Sequence, residues 1–264
     1  MLTYFNIDPV AFHIGSWPVY WYGLMYLVGF AGGWFILSMR LKMTAQPLFT
    51  QEQLGDIIFY TALGAIVGGR VGYVLFYDTA ALFTQPLIIL QPWKGGMSFH
   101  GGLLGVLVAL LIYAKRLQKP FLDLTDFIAP AVPLGLFAGR IGNFINGELW
   151  GRVTAMPWGM VFPNKDTLLR HPSQLYEAFF EGIVLFIILW CYTSKPRSRG
   201  AVSGLFALCY GLFRILVECF REPDPQIGYL GGWFTEGQLL SLPLVIIGLI
   251  LIYIPSCKQK EVSP

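Results

Sequence analysis

Long apolar runs separated by short polar connections dominate the chain. A run of about 20 apolar residues crosses the roughly 30 Å hydrocarbon core of a bilayer as a helix. Such runs lie at residues 19–39, 56–77, 97–114, 121–141, 174–193, 201–220 and 236–255. The pattern predicts an all-α integral membrane protein built as a bundle of about seven transmembrane helices. The 115–120 connection is very short, and Pro130 and Pro133 are expected to bend the fourth helix.

The composition agrees with a lipid environment. Hydrophobic residues make up 55% of the chain and charged residues only 12%, against about 25% charged residues in soluble domains. A net charge of +3 is too small to indicate a nucleic-acid partner. The four cysteines lack CxxC spacing and the chain has three histidines, so we expect free thiols, no metal and no cofactor. No Lys or Arg precedes Arg40, so the first apolar run is expected to be retained rather than cleaved as a signal peptide.

Basic residues are unevenly divided between alternate connections. One set holds Arg40, Lys42, Lys115, Arg116, Lys119, Lys195, Arg197, Arg199, Lys258 and Lys260. The other set holds Lys94, Arg152, Lys165, Arg170 and Arg221. Since an excess of basic residues marks the cytoplasmic side, seven spans place the N-terminus outside and the C-terminus in the cytoplasm.

Three arginines, Arg70, Arg140 and Arg214, fall within or at the ends of predicted spans. An arginine at the bilayer centre costs roughly 2.5 to 3.5 kcal/mol, so such residues usually face a partner or an aqueous cavity. All three lie in the second halves of helices that run outward, and therefore in the outer half of the membrane. The same depth holds further polar residues, namely Tyr22, His100, Glu177 and Glu181. This convergence indicates a site for an anionic ligand.

Residues 139–151 read GRIGNFINGELWG, a dense polar and glycine-rich run at the end of a predicted span. Arg140 and Asn143 are three residues apart and would share a helical face. Gly147 and Gly151 permit a turn that returns Glu148 toward the same place. The alternative is a glycine-rich helix cap with a structural Arg–Glu pair.

Other segments carry polar groups with two interpretations each. The sequence His100-Gly101-Gly102 opens a helix whose N–H groups could face an anion, with His100 as a base or as a hydrogen-bonded structural group. Four polar residues form one stripe on a later helix, namely Tyr210, Arg214, Glu218 and Arg221. Within that stripe, Arg214 and Glu218 could simply neutralise each other. The glycines Gly64, Gly68 and Gly72 predict close helix packing.

The loop at 144–173, which contains His171, is long enough to form a small cap on the outer, periplasmic side. Its role could be structural alone. The prediction is thus a single transmembrane domain over residues 1–264, with this cap region.

GRIGNFINGELWG resembles the signature of the prolipoprotein diacylglyceryl transferase family, and the match is specific. The resemblance extends to WYGLMYLVGF, GGRVGYVLFY, MSFHGGLLG, HPSQLYE and YGLFRILVECFREPD, which together cover essentially the whole chain. It implies an enzyme of the bacterial cytoplasmic (inner) membrane that transfers the diacylglyceryl group of phosphatidylglycerol to the lipobox cysteine thiol of preprolipoproteins. A thioether forms and glycerol phosphate is released.

The resemblance also implies roles for individual residues. Arg140 and Arg214 look like the pair that binds phosphate and stabilises the leaving group, which suits the two-point grip of guanidinium on phosphate. His100 is the candidate base that removes the thiol proton. Further residues match positions treated as functional in the family, namely Tyr22, Arg70, Asn143, Glu148, Gly151, His171, Tyr210 and Glu218.

Two other classes of membrane protein fit part of the pattern. A transporter or flippase for an anionic lipid or phosphate compound would also use arginines at membrane depth. It would need polar positions in the inner half, where only Asp123 and Asp126 are candidates. A rhomboid-like protease would need a GxSxG motif, but the nearest serine, Ser203, has Ala201 in place of the first glycine.

Overall fold

The computed structural model describes residues 2–5, 7–44, 46–223, 228 and 233–261, with side chains left out at 3, 81 and 254–261. Its helices are α1 (Trp21–Met43), α2 (Gln51–Phe76), α3 (Thr79–Thr84), α4 (Phe99–Arg116), α5 (Phe121–Ile128), α6 (Val132–Ile145), α7 (Ser173–Glu177), α8 (Leu185–Tyr192), α9 (Ala201–Glu218) and α10 (Glu236–Glu261). Short 3₁₀ helices cover Pro86–Leu90 and Pro92–Lys94, and a π-helix at Ala178–Val184 joins α7 to α8.

The predicted helical membrane architecture is confirmed. Within the described residues, six helices are long and apolar enough to span a membrane, or seven if α5 and α6 count as one span. The axis bends by 53° between α5 and α6. Pro130 lies in that break and Pro133 in the first turn of α6, and proline lacks the N–H that would continue the helical hydrogen bonds. The predicted bend in the fourth span is therefore confirmed, although its second part runs on to Ile145.

Two small sheets accompany the helices. Strand β1 (Leu2–Thr3) pairs in parallel with β4 (Met160–Val161), which pairs antiparallel with β5 (Leu169–Arg170). Strands β2 (Val10–Ile14) and β3 (Trp17–Tyr20) form a hairpin whose turn contains Gly15 at a φ of +62°. The region between α6 and α7 thus contains a short β-structure as well as loops.

The chain forms two compact units, one of residues 1–33 with 125–264 and one of residues 34–124. In the second unit, α2 and α4 meet through glycine. A Cβ on Gly68 would lie 2.7 Å from Gly105 Cα, and a Cβ on Gly72 would lie 2.7 Å from Gly101 Cα. Neither fits without a backbone shift, so the predicted packing role of these glycines is confirmed.

In the first unit, an apolar core joins α8 to α9 through Leu185, Leu189 and Val202. The start of α9 is capped from α5, because Asp126 accepts hydrogen bonds from Gly200 N at 2.6 Å and Ser203 N at 2.7 Å. This cap satisfies backbone N–H groups that a helix start would otherwise leave unpaired. It fixes the N-terminal end of α9, whose other end carries Arg214 and Glu218.

Candidate active site

Arg140, on α6, reaches two carboxylates of the neighbouring α7–α8 helix. Its Nε lies 3.1 Å from Glu177 Oε2, and its Nη2 donates to Glu181 Oε2 at 3.3 Å. Both carboxylates are fully buried. Buried carboxylates are stable only when cations or hydrogen-bond donors compensate them, so Arg140 and this helix hold each other in place.

Two arginines from the α9 side face the same carboxylates. Arg214 Nη1 donates to Glu177 Oε1, while Arg214 Nη2 lies 2.9 Å from Glu218 Oε2 one turn further along α9. Arg221 Nη1 lies 3.4 Å from Glu177 Oε1. The structure therefore brings Arg140 together with Arg214, Glu218 and Arg221 of the predicted polar stripe.

The arginines and carboxylates differ in their exposure. The side chains of Arg140, Arg214 and Arg221 are 16%, 13% and 17% exposed, whereas those of Glu177 and Glu181 are 0% exposed. The carboxylates thus form the buried wall of the cluster, and the three arginine side chains are its partly exposed members.

A π-helix carries the second of the two carboxylates. Glu181 lies within Ala178–Val184, directly after Glu177 at the end of α7. The next residue, Gly182, fits against α6 because a Cβ there would lie 2.7 Å from Phe137 Cβ. Turns of π-helix are frequent at functional sites, and this one places both glutamates on the side that faces Arg140.

The signature loop returns Glu148 to α6 as predicted. Glu148 N donates to Asn143 O at 3.1 Å, and Asn143 Nδ2 donates to Glu148 Oε1 at 2.8 Å. Gly147 turns the chain with a φ of +64°, in the region where glycine is favoured. Asn143 therefore fixes the Glu148 carboxylate, while the carboxylate partners of Arg140 are Glu177 and Glu181.

Gly151 lies where three chain segments meet. Its N–H donates to His171 O at 2.8 Å, and its C=O accepts from Arg170 Nη1 at 3.1 Å. A Cβ at this position would lie 2.5 Å from Phe220 O and 2.6 Å from His171 O. The signature thus requires glycine here for close backbone packing against the end of α9.

Tyr22 and Tyr210 border the cluster from α1 and α9. The Tyr22 ring packs over Gly142 on α6, where a Cβ would lie 3.0 Å from Tyr22 Cδ2, and its hydroxyl is 3.4 Å from Tyr26 Oη. Tyr210 lies one turn before Arg214 and stacks on Phe206. Both tyrosines present a hydroxyl within the same unit as the arginines.

His171 lies at the end of the 144–173 loop, beside the start of α7. Its Nδ1 is 3.0 Å from Tyr176 Oη, which accepts a hydrogen bond from Trp158 Nε1 at 2.7 Å. The imidazole also packs edge-on against Phe220. Burial lowers the pKa of His171 from its usual value. These contacts connect the 144–173 loop to the C-terminal end of α9.

The lowered pKa of His171 predicts acid sensitivity of the fold. In the unfolded chain the pKa returns to about 6.5, so the unfolded state binds more protons as the pH falls through that value. The free energy of unfolding should therefore decrease below about pH 6.5. Melting curves over a pH series, comparing His171→Asn with the exposed control His13→Asn, test this. The dependence of the melting temperature on pH should become weaker only in the His171 variant. An unchanged pH dependence in that variant would contradict the prediction.

Arg70 belongs to the second unit and is held by backbone. Its Nε and Nη2 donate to Ile88 O at 3.0 and 2.7 Å, and its Nη1 donates to Gly95 O and Gly96 O. The side chain is buried. These contacts support a structural role in which Arg70 holds the 85–97 segment against α2, while its role in substrate binding stays a prediction.

Replacing Arg70 with lysine should destabilise this segment. A single lysine amine cannot donate to Ile88 O and to Gly96 O as the guanidinium does. Each hydrogen bond from a charged group contributes about 1.5 to 3 kcal/mol to stability. We expect faster proteolysis within 85–97 and a lower melting temperature for Arg70→Lys. Arg116→Lys, at an exposed arginine of the same unit, serves as the control. Equal proteolysis of the two variants would contradict a structural clamp.

His100 also belongs to the second unit. It lies in the first turn of α4, two residues after Ser98, whose side chain caps the helix by accepting from Gly101 N at 3.2 Å. The imidazole is exposed. Its predicted convergence with the arginine cluster, like that of Arg70, stays a prediction.

The carboxylates of the cluster are the part of the site that the sequence assigned least well. Glu177 and Glu181 were predicted to share the depth of the arginines, but no binding role was assigned to them. Arg221 belongs to the predicted polar stripe, but no binding role is predicted for it. The available signal was two glutamates four residues apart in an apolar span, together with the continuation of the Arg214–Glu218 stripe.

The fold and cluster define a class of protein. It is a multi-pass helical membrane protein with three partly exposed arginines that are held by buried glutamates.

The chain belongs to the prolipoprotein diacylglyceryl transferase family, whose model matches residues 9–254. A protein of Coxiella burnetii (strain RSA 331 / Henzerling II) is 59% identical over 249 residues, covering 94% of this chain and 95% of the relative. A Legionella pneumophila protein is 55% identical, covering 95% and 98%. A Pseudomonas aeruginosa protein (strain LESB58) is 56% identical, covering 96% and 95%. All three are named phosphatidylglycerol–prolipoprotein diacylglyceryl transferase.

Proposed function

We propose that this protein transfers the diacylglyceryl group from phosphatidylglycerol to the lipobox cysteine thiol of a preprolipoprotein. The observation that carries the proposal is the three-arginine cluster, whose arginine side chains are partly exposed and whose carboxylate wall is buried. Family membership over residues 9–254 supports the same reaction. The proposal assigns residues 1–264 to one catalytic domain in the membrane, with 144–173 as its outer cap.

In the proposed reaction, the substrate sulfur forms a bond to the glyceryl carbon that carries the phosphate. The carbon–oxygen bond breaks, and its electron pair goes to the departing phosphate of glycerol phosphate. Negative charge therefore grows on that phosphate during the reaction. Arg140 and Arg214, already oriented by Glu177, Glu181 and Glu218, stabilise this charge without having to reorganise.

Asn143, Glu148 and Gly151 support this step through the signature loop. Asn143 orients Glu148 by donating to its Oε1. The proposal assigns the other carboxylate oxygen, Oε2, as an acceptor for the glycerol hydroxyls of the headgroup. Gly151 holds the loop against the end of α9, where Arg214 and Glu218 lie. Tyr22, Tyr210 and His171 complete the lining that the proposal assigns to substrate.

His100 is the proposed base that accepts the thiol proton. His100→Gln keeps a hydrogen-bonding side chain but cannot take up the proton, so turnover should fall by about 10² to 10⁴. Raising the pH should restore part of the activity, because solvent then generates the thiolate of a cysteine whose pKa is near 8.5. A glutamine variant with near-parental turnover, or with an equal loss at every pH and lost lipid binding, would contradict the base role.

The proposed orientation places the N-terminus outside and the C-terminus in the cytoplasm. The distribution of Lys and Arg between alternate connections supports it. It also places the lipid site on the side where a substrate cysteine emerges just outside the bacterial inner membrane.

The rival classes are less well supported. Asp126, a candidate inner-half site for a transporter, is occupied in capping α9. Ser203, the nearest serine for a protease, donates to Asp126 Oδ1 at 2.6 Å. Both groups therefore have structural partners at the inner end of α9.

One assay tests the proposed function. Purified protein in nanodiscs is incubated with phosphatidylglycerol and a lipobox peptide, and the peptide is weighed by mass spectrometry. We expect the peptide to gain one diacylglyceryl group on its cysteine, with release of glycerol phosphate. An unchanged peptide, together with movement of lipid between leaflets of sealed vesicles, would instead identify a transporter.

A further inference from the structure

The charges of the arginine cluster balance in its present state. It holds three arginines, Arg140, Arg214 and Arg221, and three carboxylates, Glu177, Glu181 and Glu218. With all six groups ionised, their formal charges sum to zero. A site of this kind holds an anion through directed hydrogen bonds but lacks the net positive charge that would trap it.

The two buried carboxylates beside Arg140 are not equivalent. Glu177 is contacted by all three arginines, with Arg140 Nε at 3.1 Å, Arg221 Nη1 at 3.4 Å and Arg214 Nη1 closer still. Glu181 accepts one long hydrogen bond, from Arg140 Nη2 at 3.3 Å. Its other oxygen, Oε1, lies 3.9 Å from Arg214 Nη1, beyond hydrogen-bond distance. Glu181 is therefore the less firmly bound carboxylate of the pair.

The donor in the long hydrogen bond to Glu181 is Arg140 Nη2, and a guanidinium N–H is also a suitable donor to phosphate. Arg140 Nε is paired with Glu177, which leaves the two Nη groups as the remaining donors of this guanidinium. A phosphate oxygen and Glu181 Oε2 would compete for Arg140 Nη2. Glu177 remains paired with Arg140 Nε in either case.

The reaction proposed above increases the charge on the ligand. Phosphatidylglycerol is a phosphodiester with one negative charge, whereas glycerol phosphate is a monoester with a second ionisable oxygen. The arginines would therefore hold the product more tightly than the substrate. An opposing negative charge next to the phosphate would weaken this binding and speed the release of the product.

We propose that Glu181 is this opposing charge: it competes with bound phosphate for Arg140 and thereby speeds the release of glycerol phosphate. The proposal rests on the proposed function. Glu181 acts through Arg140 and is thus a positioning residue, whereas Glu177 is the fixed anchor of the cluster. Its charged and titratable neighbours are Glu177 on its own helix, Arg140 on α6, and Tyr210 and Arg214 on α9.

Glu181→Gln separates this role from simple structural support. Glutamine keeps the shape and an oxygen acceptor for Arg140 but removes the negative charge. Glycerol phosphate should bind and inhibit about tenfold more tightly, since one opposing charge near a partly solvated anion is lost. KM for phosphatidylglycerol should fall, and kcat should fall with it as product release slows. If Glu181 only supported the structure, Glu181→Gln would instead bind glycerol phosphate more weakly than the parent protein.

The matched control is Glu222→Gln, which removes one negative charge from a carboxylate that is 37% exposed and paired with Arg170. Binding of glycerol phosphate is measured by calorimetry on folded protein in nanodiscs, without peptide, and inhibition is measured in the transfer assay. Equal or weaker binding in Glu181→Gln than in Glu222→Gln overturns the proposal. If Glu181→Gln does not fold, Glu181→Asp withdraws the carboxylate from Arg140 and should tighten binding by a smaller factor; no tightening overturns it equally.

The two measurements also separate this proposal from the proposed function. Transfer by the parent protein without tighter product binding in the variant rejects only the role of Glu181. Tighter binding in the variant without any transfer by the parent rejects the transferase function and leaves Glu181 as the counterion of an anion site.

Discussion

Replacing Arg140 with lysine is expected to lower kcat by about 10² to 10³, nearly as much as replacement with alanine. The guanidinium contacts Glu177 through Nε and Glu181 through Nη2, and the proposed function uses its outer edge for phosphate. A lysine amine is a single point of charge and cannot hold the carboxylate wall and grip phosphate at two points at once. The charge is kept, but the geometry that stabilises the departing phosphate is lost.

The measurement is turnover in the transfer assay by folded protein, with folding checked by size-exclusion profile and melting temperature. Arg197→Lys is the control, since Arg197 stacks on Tyr192 at the opposite end of the α7–α8 helix. It should retain parental turnover. If Arg140→Lys turns over as fast as Arg197→Lys, Arg140 contributes only general positive charge.

Replacing Gly151 with alanine is expected to abolish most of the activity, with a loss of 10²-fold or more. The added Cβ would lie 2.5 Å from Phe220 O and 2.6 Å from His171 O, and both are backbone atoms that cannot rotate away. The signature loop must therefore move away from the end of α9. A displacement of about 1 Å in groups that orient a reaction can cost 10²-fold in rate.

Gly139→Ala is the matched control, because it lies in the same signature and a Cβ there meets no atom within 4 Å. Turnover and melting temperature are measured for both variants. We expect near-parental values for Gly139→Ala and a strong loss of turnover for Gly151→Ala. A Gly151→Ala protein that works normally would show that the loop does not position the site.

The sequence predicts those parts of the site that depend on local geometry. Arg140 and Asn143 share a face of α6 because they are three residues apart, and Glu148 returns because Gly147 adopts a positive φ. The helix count follows from the length of the apolar runs, and the bend between α5 and α6 follows from its prolines. The packing of α2 on α4 follows from the spacing of Gly64, Gly68 and Gly72.

Other features depend on contacts that sequence spacing does not specify. Glu177 meets Arg140, Arg214 and Arg221 only because three separate segments pack together, and a π-helix follows it that no residue pattern indicated. The environment of Arg70 is a similar case. The cost of a buried arginine predicted a partner, but backbone carbonyls of the 85–97 segment supply its hydrogen bonds.

The short strands were not predicted either. The hairpin of β2 and β3 spans residues 10–20, where Gly15 and Ser16 form the turn, and its second strand overlaps the beginning of the first predicted span. An apolar run of this length does not by itself distinguish a strand from the start of a helix. The pairing of Ile14 with Trp17 shows that residues 17–20 form a strand.

The central claim is that the arginine cluster holds the phosphate of the lipid substrate, and solid-state NMR can measure that contact directly. The protein is labelled with ¹⁵N in its arginine side chains and reconstituted with phosphatidylglycerol, and the dipolar coupling between ³¹P and ¹⁵N is recorded. We predict dephasing of the bound ³¹P signal that corresponds to a separation of hydrogen-bonded groups, and a clear reduction of this dephasing in Arg140→Lys and in Arg214→Lys. A bound phosphate that shows no coupling to arginine nitrogen in the parent protein would contradict the claim.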